Sequence, residues 1–427
     1  MKRRQFLMTS GAVLATPMLM RSAYAQSGFD WKQQSGKTIT VGMSRHPWQE
    51  AIEPMIPEFE ALTGITVKLS KLPEQQYLTK TVADLTGGTF SQDVFMTQYY
   101  DSPSYQQKGW TKDLGPLLDN AKLTDKATYD WEDFFPAARD VSTIGGKYAD
   151  RIAITSEAQT LVYRADVLKE KGIDVPKTFD DLVSAAAKIS EGGDMFGMTM
   201  RGGAANWWPF YGFVRSYGGE YVDSSLKPLI NSKESKAALE SYVKLAGYCP
   251  PGITNSDWDE INTAMLSGQA AMFLDSSVVY GRLQDKEAST VVGKVGVAPF
   301  VEGPAGRHGQ AHFWTISLSN TAPEPEAGWL FMQWATSKDI QGKIALKGVL
   351  GPRSSAWEVD GLAQVFPDEF LKAVQTSLKS AVISPANLKF FELMDPLRAQ
   401  VQEAILGNAS PSDALDKVQA EWQKILA

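Results

Sequence analysis

The chain has 427 residues, 43% of them hydrophobic, with a formal charge of −7, one cysteine and three histidines. Its length exceeds the ~250 to 300 residues at which a single core tends to split, so two lobes are expected, and nothing in the composition is disordered. The acidic balance argues against nucleic acid or an anionic membrane as partner, because both reward clustered Lys and Arg, and Cys249 has no internal disulfide partner.

Residues 1–25 read as an export signal. Arg3-Arg4-Gln5-Phe6-Leu7 is a twin-arginine pair ahead of a weakly apolar stretch, and Ala23-Tyr24-Ala25 supplies a small-x-small cleavage site. Phe6 to Met20 is too short and too polar for a membrane span of ~20 apolar residues. Cleavage removes four positive charges and no acid, taking the formal charge from −7 to −11. The expected compartment is the bacterial periplasm. Cys249, beside Pro250-Pro251-Gly252, reads as a packed and inert thiol.

Residues 37–43 alternate like a strand, residues 49–63 carry Ile52, Ile56, Phe59 and Leu62 at helical spacing, and residues 66–69 return to strand. This β-α-β opening predicts an α/β protein with parallel strands and helices on both faces, in which ligands gather beyond the carboxyl ends of the strands. A second helix is expected over 77–85 and a buried strand over 93–96. Extended pieces at 151–155 and 160–163 flank the polar Ser156-Glu157-Ala158-Gln159, and a helix at 179–190 opens what reads as a new sheet. Helices follow at 237–246, 257–266 and 327–336, with strands at 197–200, 291–299 and 313–318. Ser410 as cap, Pro411 in the first position and the stripe Leu415, Val418, Trp422, Ile425 predict a terminal helix.

In this order along the chain, several segments resemble the extracellular solute-binding proteins of sugar-importing ABC transporters, the group that includes maltose-binding protein. They are Ala61-Leu62-Thr63-Gly64-Ile65-Thr66-Val67, Gly109-Trp110-Thr111-Lys112-Asp113-Leu114, Met265-Leu266-Ser267-Gly268-Gln269-Ala270-Ala271-Met272 and Gly351-Pro352-Arg353-Ser354-Ser355. Leu161-Val162-Tyr163-Arg164-Ala165-Asp166 fits as well, with Arg164 where relatives carry Asn. The resemblance implies a periplasmic-binding-protein-like fold: two α/β lobes, a ligand cleft between them and a three-segment hinge. Matching segments puts the crossings near 152–160, 311–317 and 350–357. Lobe 1 is then 26–155 with 317–350, and lobe 2 is 156–316 with 351–427. The twin tryptophan and compact loops are similar to the branch that binds monosaccharides, polyols and small glycosides.

A polyol offers many hydroxyls and a few C–H faces, so a tight site needs charged donors and acceptors beside flat aromatic walls. His46-Pro47-Trp48 follows the first strand; Trp48 either walls the cleft or packs on the first helix. Tyr99 and Asp101 follow the third strand, and Asp101 either accepts hydroxyls or caps a turn beside Ser102. Glu157, an expensive carboxylate at the first crossing, serves a ligand or a hinge salt bridge. Arg201 ends the 197–200 strand, with a surface ion pair as the alternative. Asn206, Trp207 and Trp208 offer an amide and two indoles, one indole expected in the core and one on the cleft wall. Asp275 and Ser276 end another strand. His312 and Trp314 share one face of the 313–318 strand, and His312 serves equally as a core hydrogen-bonding group. Arg353 binds hydroxyls or locks the third crossing. Asn387 and Phe390 are weaker candidates.

No metal or cofactor is expected, because the histidines lack ligand spacing and phosphate-loop and dinucleotide fingerprints are missing. The expected function is a non-catalytic monomeric receptor that closes on a small carbohydrate or polyol and presents it to membrane permease subunits. The alternative is a secreted carbohydrate-active enzyme using Asp101, Glu157 or Asp275 as acid and base. A third reading, an amine or phosphate-ester binder, calls for an aromatic box without Arg in the amine case.

Overall fold

A computed structural model describes residues 29–427 apart from 145, 146, 149 and 388; the export signal expected over residues 1–25 lies outside the described residues. β1 (Thr38–Ser44) and β2 (Thr66–Leu72) pair in parallel from Thr38 against Thr66 to Ser44 against Leu72. Between them the single expected helix is broken into helix Pro47–Ile52, a 3-10 turn Glu53–Met55 and helix Ile56–Thr63. Pro54 and Pro57 lack the amide proton that a continuous ladder needs, and Gly64 in the left-handed region ends the last piece. Helix Glu74–Gly87 leads to β3 (Val94–Gln98), parallel to β1 on its other side.

After the short hairpin β4 (Thr143–Ile144) and β5 (Lys147–Tyr148), β6 (Arg151–Ala153) joins the far edge of this first sheet. The chain then crosses over. β7 (Glu157–Arg164) is the centre of a second sheet, paired with β8 (Met272–Ser276), β9 (Val295–Pro299) and β10 (Ala311–His312), and β11 (Trp314–Leu318) returns between β3 and β6. The first sheet therefore runs β2-β1-β3-β11-β6.

The expectation of parallel strands holds only for β2, β1 and β3: β11 runs antiparallel to β3 and β6, and in the second sheet every ladder on β7 is antiparallel. β7 enters from the first lobe and so begins at the cleft, whereas β8 and β9 arise within the second lobe and end there. That opposition brings Glu157, at the start of β7, beside Ser276, at the end of β8. The strand expected at 197–200 appears only as isolated parallel bridges, Phe196 with Ala270 and Thr199 with Phe273.

Helices cover both sheets. Helix Pro325–Ala335 lies on the first sheet, and Gly328 permits the contact, since a Cβ there would stand 2.6 Å from Leu318 Cδ1. On the second lobe, helix Phe179–Ser190 has the expected bounds, set by the reciprocal Thr178–Asp181 capping box and a buried stripe of Phe179, Leu182, Ala186 and Ile189. Helices Phe390–Ile405 and Pro411–Leu426 pack together, with Trp422 Nε1 donating to Leu393 O at 2.6 Å. Cys249 is buried and unpaired, and burial pushes its thiol well above the usual range.

The chain passes between the sheets at residues 154–156 and at Phe313, the one residue between β10 and β11. Residues 350–357, matched above to a third crossing, stay with the first lobe. The turn Ser354–Trp357 packs on helix Lys338–Ala345 of the first lobe, and the chain reaches the second sheet only with helix Asp368–Lys379, which covers β7 and β9. Arg353 is the cause: it donates to the carbonyls of Thr336 (2.5 Å), Asp130 (2.8 Å) and Tyr129 (2.8 Å) and to Asp133 (3.2 Å), all in the first lobe. Its guanidinium also sits 3.9 Å over the Phe134 ring.

Candidate ligand-binding cleft

A cavity of about 200 Å³ lies between the two lobes. Ala204, Ala205, Trp207 and Trp208 reach it from the start of helix Trp207–Tyr217, so that helix meets the cavity end-on and both indoles line it. The expected division of the two indoles into core and wall fails for that reason. His312 and Trp314 also line the cavity, although the break at Phe313 puts them in different sheets.

His46 and Glu157 join the lobes at one side. His46 Nδ1 accepts the Trp48 amide at 3.1 Å and so caps helix Pro47–Ile52, which places the ring proton on Nε2, 3.3 Å from Glu157 Oε1. Glu157 also accepts from Thr155 Oγ1 at 2.8 Å and from Ser276 Oγ. Burial alone would raise this acid; His46, His312 and the hydroxyl donors outweigh it and hold the pKa down at about 2. His312 is pushed the other way: burial lowers it to about 4, with Glu157 opposing, so the ring is neutral near pH 7.

Arg201 spans the cleft. Its Nε and Nη2 bind the two oxygens of Asp275 at 2.9 and 3.0 Å, and Nη1 reaches Glu74 Oε1, on the first lobe, at 3.2 Å. The guanidinium lies between the Trp208 and Trp258 rings, 5.4 and 5.3 Å from their centroids. Asp275 and Glu74 together raise Arg201 despite burial, with the bidentate Asp275 the larger contributor. Glu74 makes a single contact, and its burial outweighs Arg201 and His46, raising its carboxyl. Asp101 lines the cavity while also capping the turn Tyr99–Asp101 through the Gln98 amide at 3.0 Å; burial raises it to about 7.

Five candidates stand off the cavity wall. Trp48 is fully buried in the first-lobe core, where the helix it begins packs. Tyr99 is turned away, its hydroxyl donating to Ser384 O at 3.3 Å. Asn206 stands at the N-terminal end of helix Trp207–Tyr217 and its side chain ties that end to helix Phe390–Ile405, Nδ2 donating to Arg398 O at 3.1 Å. Asp275 is wholly buried behind Arg201, and Arg353 is bound within the first lobe as described. Of the weaker pair, Phe390 lines the cavity and Asn387 caps a turn at Lys389.

Sequence reasoning misses Glu74, Gln98, Tyr100 and Trp258, all of which line the cavity. Glu74 directly follows β2 and Pro73, so the strand-end rule reaches it, and Gln98 and Tyr100 flank Tyr99 at another strand end. Trp258 opens a helix behind the capping box of Asp257 and Glu260, and that pattern gives no sign of a cleft. Among the described residues no group of three or more His, Cys, Asp or Glu is placed to hold a metal ion, and no helix is long and apolar enough to cross a membrane.

Comparison with known proteins decides the class. The sequence matches the bacterial extracellular solute-binding proteins over residues 45–342. The chain belongs to that family. It is a binding protein of an ABC transporter, not an enzyme, and its family is an exported one. The erythritol/L-threitol-binding protein of Mycolicibacterium smegmatis is 28% identical over 413 residues, covering 90% of this chain and 85% of that protein. The mannitol-binding protein of Pseudomonas aeruginosa is 26% identical over 325 residues, covering 73% and 71%. A solved solute-binding protein from Agrobacterium radiobacter K84, in complex with ribitol, superposes with a TM-score of 0.82 at 28% identity, covering 92% of this chain and 99% of the other. In the solute-binding protein's cleft Glu157 is fixed by its donors and ionised, and Asp275 is spent on Arg201, so neither is free to shuttle a proton.

Proposed function

We propose that this protein captures a neutral polyol of four to six carbons, or a monosaccharide of that size, and delivers it to the permease of an ABC importer. The observation that carries the proposal is a set of buried polar atoms on cavity-lining residues that have no hydrogen-bond partner: Trp208 Nε1, Trp258 Nε1, Gln98 Oε1 and His312 Nδ1. Two are donors, one is an acceptor, and a neutral imidazole nitrogen takes either part, which suits hydroxyls that both give and accept. The cavity, at about 200 Å³, is smaller than the ~300 to 1,000 Å³ of sites that take drug-sized ligands.

Charge narrows the class further. Arg201 is already shared by two carboxylates, Arg398 is paired with Asp395 at 3.3 Å, and among the described residues no lysine lines the cavity. Sugar acids and sugar phosphates would meet Asp101, Glu74 and Glu157 without a free cation. The named ligands of the relatives, erythritol or threitol, mannitol and ribitol, support the same class.

In this reading the segments at 154–156, at Phe313 and between Trp357 and Asp368 are the hinge, and the two lobes shut on the ligand as a monomer in the periplasm after export through the twin-arginine signal. The test is a thermal-shift series with erythritol, ribitol, mannitol, glucose, gluconate and mannitol phosphate. A neutral alditol at a hundredfold its Kd adds ~2.7 kcal/mol of stability, and the two anions add none. Stabilisation by gluconate with none from any alditol overturns the proposal.

A further inference from the structure

The cavity is polar at one side and walled by rings at another. Tyr100 stacks on Phe390 with centroids 4.5 Å apart and 23° between planes, and Trp207 stands edge-on to both, at 5.1 and 5.0 Å. All three line the cavity. Tyr100 comes from the turn after β3 in the first lobe, whereas Trp207 and Phe390 begin two helices of the second. The cluster is therefore assembled where the lobes meet. Phe391 lines the cavity as well, packs edge-on against Phe390 at 5.6 Å and is 36% exposed. Phe390 itself is 2% exposed, so the Phe390–Tyr100 stack is a buried wall of the cavity, while Phe391 beside it meets both cavity and solvent.

We propose that Phe390, stacked on Tyr100, is a length gate. A ligand that ends at these rings lets the two lobes close and the stack form. A ligand carrying a second sugar ring must hold Tyr100 and Phe390 apart, which keeps the lobes from closing. Stacked and edge-on aromatic pairs prefer a narrow range of separations, so a partial opening forfeits the contact rather than stretching it. The gate selects by length and is blind to hydroxyl stereochemistry, which falls to Arg201, Glu157, Gln98 and the indole N–H groups. This inference rests on the proposed polyol reading and deepens it.

The experiment is titration calorimetry of the wild-type protein and of Phe390→Ala, Phe390→Leu and Tyr100→Leu with erythritol, ribitol, mannitol and the disaccharide alditol maltitol. Circular dichroism and melting curves establish which variants fold, and the leucine variants carry the test should the alanine variant not. The quantity read is the ratio of the maltitol Kd to the ribitol Kd. It falls by at least tenfold in the folded variants, most in Phe390→Ala, and because Tyr100 and Phe390 sit on opposite lobes both must move it in the same direction. A ratio unchanged within threefold in the folded variants overturns the gate, as does a wild-type protein that binds maltitol as tightly as ribitol. If the wild type binds glucose and no alditol, only the alditol part of the proposed ligand class falls, and the maltose to glucose ratio in the same variants decides the gate by the same thresholds.

Discussion

Replacing Glu157 by glutamine removes one charge and almost no volume at the junction of the two lobes. The carboxylate accepts from Thr155 Oγ1 at 2.8 Å and from Ser276 Oγ, and faces His46 Nε2 at 3.3 Å. A glutamine keeps its carbonyl oxygen toward Thr155 and His46 and turns its amide to Ser276, whose hydroxyl rotates to accept. The hydrogen bonds survive, so the substitution isolates the charge. Burial opposes ionisation here, and the histidines and hydroxyls still bring the acid from 4.5 to about 2, which at ~1.36 kcal/mol per pKa unit sets an upper bound of about 3 kcal/mol, because the His312 share exists only while that ring is charged, below about pH 4. The folded-state pKa lies below the unfolded one, so this contribution is complete above about pH 4.5 and is lost as pH falls through about 2. Glu157→Gln should therefore unfold in urea with about 1 to 3 kcal/mol less stability than wild type at pH 7, and the difference should be smaller at pH 3 and vanish as pH falls through about 2. A difference below about 1 kcal/mol at pH 7, or one that stays constant down to pH 3, refutes the reasoning.

Asp101→Asn should act at higher pH and in the opposite sense. Burial raises Asp101 to about 7, so its favourable protonated form is complete below about 3.8 and lost as pH rises through 7. The asparagine variant should melt higher than wild type at pH 8 and lack the wild-type decline between pH 4 and 7, and parallel melting profiles would rule this out. Glu74→Gln should leave ligand affinity within about threefold, because burial already disfavours the charged form and the amide oxygen still accepts from Arg201; Glu74→Ala, which leaves Nη1 short of an acceptor, should lose tenfold or more, about 1.4 kcal/mol. Equal losses in calorimetry would contradict that ordering. Arg353→Met should cost about 3 to 5 kcal/mol of stability by leaving the carbonyls of Thr336, Tyr129 and Asp130 without this donor and Asp133 without its cation, with the ligand Kd unchanged; a changed Kd at unchanged stability would return Arg353 to the cleft.

Features that depend on near neighbours in sequence are legible in it. The bounds of helix Phe179–Ser190 follow from the Thr178–Asp181 box and one apolar stripe, and the terminal helix from Ser410, which accepts the Asp413 amide at 3.1 Å, and Pro411. The apolar stripe at 49–63 misleads because Pro54 and Pro57 act through missing amide protons, which periodicity ignores. Strand-end placement leads to His46, Asp101, Arg201 and Ser276 on the cavity wall, since the chain must turn at the cleft whatever its side chains are. It does not lead to pairings such as Arg201 with Glu74, 127 residues apart, which exists only once two lobes face each other, or Ser276 with Glu157, 119 apart, which exists only once β7 and β8 pair. Asp275 shows where the rule stops. It stands at a strand end as expected, yet a carboxylate in so dry a place must have a cation, and Arg201 fills both of its oxygens. The acid then shapes the cavity by holding the guanidinium between two indoles and toward the opposite lobe. Which member of such a pair reaches the cavity is set by side-chain length and depth of burial, and residue spacing along the chain records neither.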